Sequence, residues 1–273
     1  MRRYDLLALD MDGTLLHSDL SLSERNIEAI RSYHEEGGKV FLISGRPDVM
    51  TLPYVLEMGD VDLYAAFNGA LLGTNDGREI FSSGIEKKTL ERACAVLKER
   101  SYSFSLLTKE GMYSNWGSFS FFGRQNEIAS SLARKHGIPE GWLKPLEEFD
   151  REKTFYKIVI FKKEEEEENE KLLEELGKDS SLTITSSRSF MYDVSGSGID
   201  KGSALQRGMD YFGIDRERVC VMGDYYNDVP MFQEAGLSIA MGNAPEEVRQ
   251  KADKTVSSNN EDGVAEAIEK YLL

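Results

Sequence analysis

The sequence predicts an α/β fold: a Rossmann-like, doubly wound parallel sheet forming the core, with an α+β cap domain inserted into it. Three observations lead there. Short apolar runs alternate with helical stretches from the start of the chain, several of those runs end in polar clusters, and the alternation breaks in the middle third before it resumes.

Residues 4–9 (YDLLAL) are nearly all apolar, as a strand buried on both faces requires, and they run into Asp10. Residues 21–36 follow as a helix, with Ile27, Ile30 and Tyr33 along one face and Gly37-Gly38 to stop it. Residues 39–43 (KVFLI) make a second buried strand ending in Ser44-Gly45-Arg46-Pro47. After another helical stretch, residues 63–67 form a third, before Asn68-Gly69, a pair that also suits a hairpin turn. Strand, helix, strand in this order implies right-handed parallel crossovers.

The pattern changes at about Gly84. A helix at 90–98, aromatic alternating segments over 102–116, a second helical piece and a strand-like 155–161 describe a separate α+β unit, assigned to residues 83–190. The core takes 1–82 and 191–273. Five glutamates at 164–168 suit a helix N-terminus, where acids favour the dipole, with Leu172, Leu173 and Leu176 facing inward. Beyond the Gly/Ser run at 195–198 the α/β rhythm returns: a helix at 201–212 closed by Gly213, then strands at 218–222, 237–240 and 254–256. Pro245 suits the first turn of a helix after Asn243.

Composition narrows the function. With 273 residues, 40% of them hydrophobic, the chain can bury a full core. Its net charge of −15 repels nucleic acids and anionic membranes, so neither is an expected partner. A phosphate-bearing ligand would need a local cation. Cys94 and Cys220 form no C-x-x-C pair, which argues against a zinc site or a disulfide framework and fits a reducing cytoplasm. Asp5, Asp10 and Asp12 interrupt the apolar stretch that a signal peptide would need after Met1-Arg2-Arg3, and no run is long enough to span a bilayer. No obligate protein partner is evident.

Four polar clusters carry the chemistry: residues 10–14 (DMDGT), 44–46 (SGR), Lys201-Gly202 at a helix start, and 223–228 (GDYYND). In open parallel sheets ligands bind outside the carboxyl ends of the strands, so the first, second and fourth clusters converge on one crevice, which Lys201 can join. A calcium EF-hand loop would want glycine at its sixth position, but Leu15 follows Thr14. The segment 196–203 (GSGIDKGS) is not a P-loop either, since its order of glycine, lysine and serine differs from that motif. His17, His34 and His136 show no metal or triad spacing.

These motifs, with NGA at 68–70, DKG at 200–202, AMGNA at 240–244 and EDGV at 261–264, resemble the haloacid dehalogenase superfamily, specifically its Cof-type phosphatases with a large inserted cap. The resemblance spans nearly the whole chain. It implies a Mg²⁺-dependent phosphatase acting on a small phosphate ester, a sugar phosphate first, through an aspartyl-phosphate on Asp10. By that resemblance Asp12 is the general acid and base, Ser44 and Lys201 complete the catalytic set, and Asp10, Asp12, Asp224 and Asp228 hold or support the metal. Thr14, Gly45, Arg46, Asn68 and Asn227 are the candidate substrate contacts. Tyr113, Arg188 and Tyr192 are candidates on the cap. A phosphomutase of the same fold and a non-catalytic metabolite-binding protein are the alternatives. In one segment the chain departs from its resemblance: DVSGSGIDKG at 193–202 lacks the proline that related proteins often carry before the lysine, which bears on the cap hinge or the substrate edge.

Overall fold

The computed structural model describes residues 3–115 and 119–273, so Trp116, the end of one expected segment, lies outside the described residues. The core opens with β1 (Leu6–Leu9), α1 (Glu24–Glu35), β2 (Lys39–Ile43), α2 (Asp48–Met58), β3 (Leu63–Ala66), β4 (Leu71–Thr74) and β5 (Glu79–Ser82). A second unit follows: α3 (Lys87–Glu99), β6 (Ser103–Thr108), β7 (Gly111–Ser114), α4 (Phe119–His136), β8 (Trp142–Pro145), β9 (Lys157–Phe161), α5 (Glu166–Leu176), β10 (Leu182–Arg188) and β11 (Met191–Gly196). The chain then completes the core with α6 (Lys201–Phe212), β12 (Val219–Gly223), α7 (Val229–Glu234), β13 (Leu237–Ala240), α8 (Glu246–Arg249), β14 (Lys254–Thr255) and α9 (Gly263–Tyr271).

The core sheet runs β14-β13-β12-β1-β2-β3-β4-β5, with every pairing parallel except β3 with β4 and β4 with β5. All four β1 residues are fully buried. Leu7 and Leu9 pack on one face with α1 and α9, while Leu6 and Ala8 pack on the other with Ala204 and Leu205 of α6, which is why the strand reads as an unbroken apolar run. Register then sets the site. Leu9 lies opposite both Met222 and Leu42, so the residues just past β1, β12 and β2 line up along one carboxyl edge.

The second sheet, β10-β11-β9-β6-β7-β8, has its own core against α3 and α5, where Leu97, Phe104, Ile158, Ile160 and Leu172 are buried. Strand alternation turns Val159 and Met191 to the opposite side, where they join the apolar cluster of the core.

Three expectations need correction here. The chain does not return to the core at residue 191: β11 pairs antiparallel with β9 and β10, so the second crossing falls at 197–200, after the strand's ladder is satisfied. The Gly/Ser composition of 195–198 hides that strand end. Tyr113 and Tyr192 belong to the packing face between sheet and outer helices, with Tyr113 edge-on to Trp142 at 4.8 Å between ring centroids, and so cannot meet a ligand in the crevice. Pro245 precedes α8 as its N-cap rather than lying inside its first turn.

Candidate active site

The site grows from the carboxyl edge of β1. Asp10 follows the strand directly, is 5% exposed, and donates its backbone N–H to the Met222 carbonyl at 3.0 Å, which ties it to β12. Its Oδ1 accepts from Lys201 Nζ. The same ammonium donates to Asp228 Oδ1 at 2.6 Å. Asp228 Oδ2 in turn accepts the backbone N–H groups of Asp224 (2.8 Å) and Tyr225 (2.9 Å), so both its oxygens are engaged in shaping the loop after β12.

Glycines make this crowding possible. Gly13 has φ +82, in the left-handed region, and a Cβ there would lie 2.3 Å from Asp224 Oδ2. Asp224 is held from two sides, by Thr14 Oγ1 at 3.4 Å and Asn243 Nδ2 at 3.2 Å. Thr14 is completely buried, so it orients a carboxylate and does not face the ligand space; its assignment as a substrate contact is corrected accordingly.

Charge dominates the energetics. Burial, opposed by Lys201 and reinforced by the neighbouring Asp228, pushes Asp10 up to about 7. Burial, then the charges of Asp10 and Asp228, raise Asp224 well above the ordinary carboxylate range. Carboxylate oxygens of Asp10, Asp224 and Asp228 lie within 4.8 Å of one another. A hard divalent cation fits this donor set, because its charge relieves a repulsion that one lysine does not cancel. Asp10, Asp224 and Asp228 are the side chains that could hold such an ion, with Asp228 also tied to the loop after β12 through its Oδ2.

Asp12 takes a different environment. Burial alone would raise it, but Arg46 outweighs that with two bonds, Nε to Oδ2 at 2.7 Å and Nη2 to Oδ1 at 2.8 Å, and holds the carboxyl below its usual range. The guanidinium also sits 5.1 Å from the Tyr54 ring centroid. From the cap, Arg188 Nη2 approaches Asp12 Oδ1 at 3.4 Å.

Ser44, 1% exposed, follows β2 and accepts the Arg46 backbone N–H on its hydroxyl at 3.1 Å, shaping the turn that presents Arg46. Gly45, Arg46 and Asn227 line the crevice together with Asp10, Asp12 and Asp224. Asn68 does not: it is 1% exposed, with φ 58 in the turn joining β3 to β4, and it donates to Asp193 of the cap at 3.1 Å while accepting from Asn227 at 3.4 Å. Its assignment as a substrate contact gives way to a tie between core and cap.

Sequence reasoning missed Lys157 and Asp193. Lys157 Nζ pairs with Asp193 Oδ2 at 2.7 Å and donates to the Gly45 carbonyl at 2.9 Å. The available signal was a single charge inside each apolar strand, FYKIVIF and MYDV, on the parity that faces the core.

An open parallel sheet with carboxylates and a lysine gathered at its carboxyl edge, beside an inserted α+β unit, defines a capped α/β enzyme. Residues 7–268 match the sequence pattern of the haloacid dehalogenase-like hydrolases, and the chain belongs to that family. It is 32% identical to the 5-amino-6-(5-phospho-D-ribitylamino)uracil phosphatase YcsE of Bacillus subtilis, over 98% of this chain and 96% of the relative. It is 28% identical to a phosphoglycolate phosphatase of Methanobrevibacter smithii, over 98% of this chain and 99% of the relative. A solved haloacid dehalogenase-like hydrolase from B. subtilis superimposes with a TM-score of 0.84 at 25% identity, covering 98% of this chain and 100% of that one.

Proposed function

We propose that the chain is a Mg²⁺-dependent phosphatase that hydrolyses a small phosphorylated metabolite, sugar or polyol phosphates first, through an aspartyl-phosphate on Asp10. The observation that carries this reading is the placement of Asp10: a buried carboxylate just past the end of β1, bound by Lys201 and crowded by Asp224, in the lining of a crevice. Magnesium, when bound there, would neutralise the facing carboxylates and the phosphoryl oxygens.

In the first half-reaction an Asp10 oxygen attacks phosphorus and the ester P–O bond breaks, with the departing alkoxide taking a proton from Asp12. In the second, water attacks the phosphorus of the acyl phosphate and gives its proton to Asp12, which releases inorganic phosphate and restores Asp10. The two bonds from Arg46 favour the ionised form of Asp12, the form that accepts the water's proton. Phosphate dianion arriving beside it raises its proton affinity for the first step. Lys201 screens the attacking carboxylate, and Arg46 and Arg188 place positive charge where the phosphoryl oxygens gather. The relative's named substrate carries a phosphorylated ribityl chain, which supports a polyol phosphate here.

The test is p-nitrophenyl phosphate hydrolysis, with free phosphate measured, in Mg²⁺, in chelator, and with Asp10→Asn. Chelator should stop turnover, and Asp10→Asn should lower kcat by roughly 10³-fold or more. Turnover that survives in Asp10→Asn rules out the nucleophile, and isomerised ester without free phosphate would point to a mutase.

A further inference from the structure

The cap contributes a buried acceptor with a vacant position. Asp193 is fully buried; its Oδ2 accepts from Lys157 Nζ at 2.7 Å and from Asn68 Nδ2 at 3.1 Å, while its Oδ1 has no hydrogen-bond partner. A buried carboxylate oxygen left unpaired is costly, and folded proteins rarely keep one without use. Its two donors also fix the carboxylate: turning Oδ1 toward either of them would give up bonds that Oδ2 already makes. The residue is therefore pre-set before any ligand enters.

Its place says what it would meet. Asp193 lines the same crevice as Asp10 and Asp12, on the roof where Leu107, Val159 and Met191 supply apolar surface beside it. The leaving group of a phosphate ester held on Asp10 lies under that roof. Its charge says which chemistry. Lys157 already balances the carboxylate, and Arg46 and Arg188 stand on the same cavity wall, so a cationic ligand group is repelled and a second anion finds an unpaired acceptor. A neutral donor, a hydroxyl, satisfies Oδ1 with no change in charge.

We propose that Asp193 is a specificity-determining residue whose Oδ1 accepts a hydrogen bond from a leaving-group hydroxyl, so that the enzyme selects polyhydroxylated phosphate esters over plain alkyl esters. Lys157 and Asn68 are its positioning residues. This rests on the phosphatase reading above.

The test compares D-ribitol 5-phosphate with n-pentyl phosphate, one five-carbon chain with and without hydroxyls, by phosphate release from the full chain in Mg²⁺. The wild type should favour the ribitol ester in kcat/KM by at least about tenfold. Asp193→Asn keeps an oxygen for Lys157 and Asn68 and puts an N–H₂ donor at the vacant position. It should cut that preference at least about tenfold, mainly through KM of the ribitol ester. Lys157→Met/Asp193→Leu removes both charges together, guards against an unpaired buried lysine, and should bring the preference close to unity. Equal losses on both esters in these variants would reduce Asp193 to a structural tie and overturn the inference. So would a wild type that makes no distinction, which leaves the phosphatase reading standing. A wild type that releases phosphate from neither ester nor p-nitrophenyl phosphate takes down both.

Discussion

Asp10 and Asp224 face each other in a space that only a cation makes tolerable, and this has a measurable pH consequence. With no metal bound, Asp10 sits at about 7 instead of the ordinary 3.8, so the folded chain holds a proton there that the unfolded chain gives up. The metal-free protein therefore loses stability from this group as pH rises from about 4 to 7. Divalent ion uptake must expel the protons that Asp10 and Asp224 hold, so Mg²⁺ affinity should fall by at least about tenfold per pH unit below pH 7. Calorimetric titration in two buffers of different ionisation enthalpy counts the released protons; affinity that does not change between pH 5.5 and 8 contradicts the raised pKa. At this scale the sequence is informative where chemistry dictates residue type at a strand end, as for Asp10 and Asp224, or at a helix start, as for Lys201. It is silent where parity decides. The single charge in MYDV marks Asp193, but which face of the strand meets the crevice, and so that Tyr192 turns to the outer helices, depends on partners distant in the chain.

At the scale of elements, α6 shows how the fold aims a side chain against its own electrostatics. Lys201 occupies the first turn of that helix, where the dipole disfavours a cation, and it is 1% exposed. Asp10 and Asp228 together outweigh both penalties and raise its pKa. The helix start is fixed by a capping box: Ser203 N donates to Asp200 Oδ1 at 2.7 Å, and Asp200 N donates to Ser203 Oγ at 3.2 Å. Close contacts hold it further, since a Cβ on Gly202 would lie 2.9 Å from the Pro230 carbonyl. Asp200→Ala should cost about 1 kcal/mol and lower Tm by about 2–4 °C, with kcat falling as Lys201 loosens. Asp200→Asn, another good cap, should restore both in thermal melts and phosphate release; a kcat that stays low in the Asn variant would mean that Asp200 acts through its charge. The helix and its Gly213 stop were legible from composition, as were the core strands with their unbroken apolar runs. β11 was not, because a strand that runs on into Ser-Gly-Ser-Gly looks like a linker until its partners β9 and β10 are known.

Over the whole molecule the question is how firmly the cap is shut. The chain crosses between units twice, at 83–84 and 197–200, and the crossings run side by side, with a Gly196 Cβ position 3.8 Å from the Gly84 carbonyl. Buried ties hold the cap over the site: Lys157 to the Gly45 carbonyl and Asn68 to Asp193. Farther out, α4 of the cap packs on α2 of the core, where Glu57 receives Lys135 at 2.7 Å and His136 at 2.9 Å. Ion pairs as exposed as these contribute only about 0.2–1 kcal/mol each, so the seam biases closure without locking it, as substrate entry and product release demand. Glu57→Lys sets a cation beside Lys135 and His136 and removes the attraction, yet touches neither the site nor either unit's core. The variant should therefore keep its Tm, raise KM, and show a larger radius of gyration by solution X-ray scattering. Mg²⁺ with inorganic phosphate should shrink it again by restoring closure through the buried ties. If its scattering matches the wild type with and without these ligands, the seam is not what holds the cap, and closure rests on the buried ties alone.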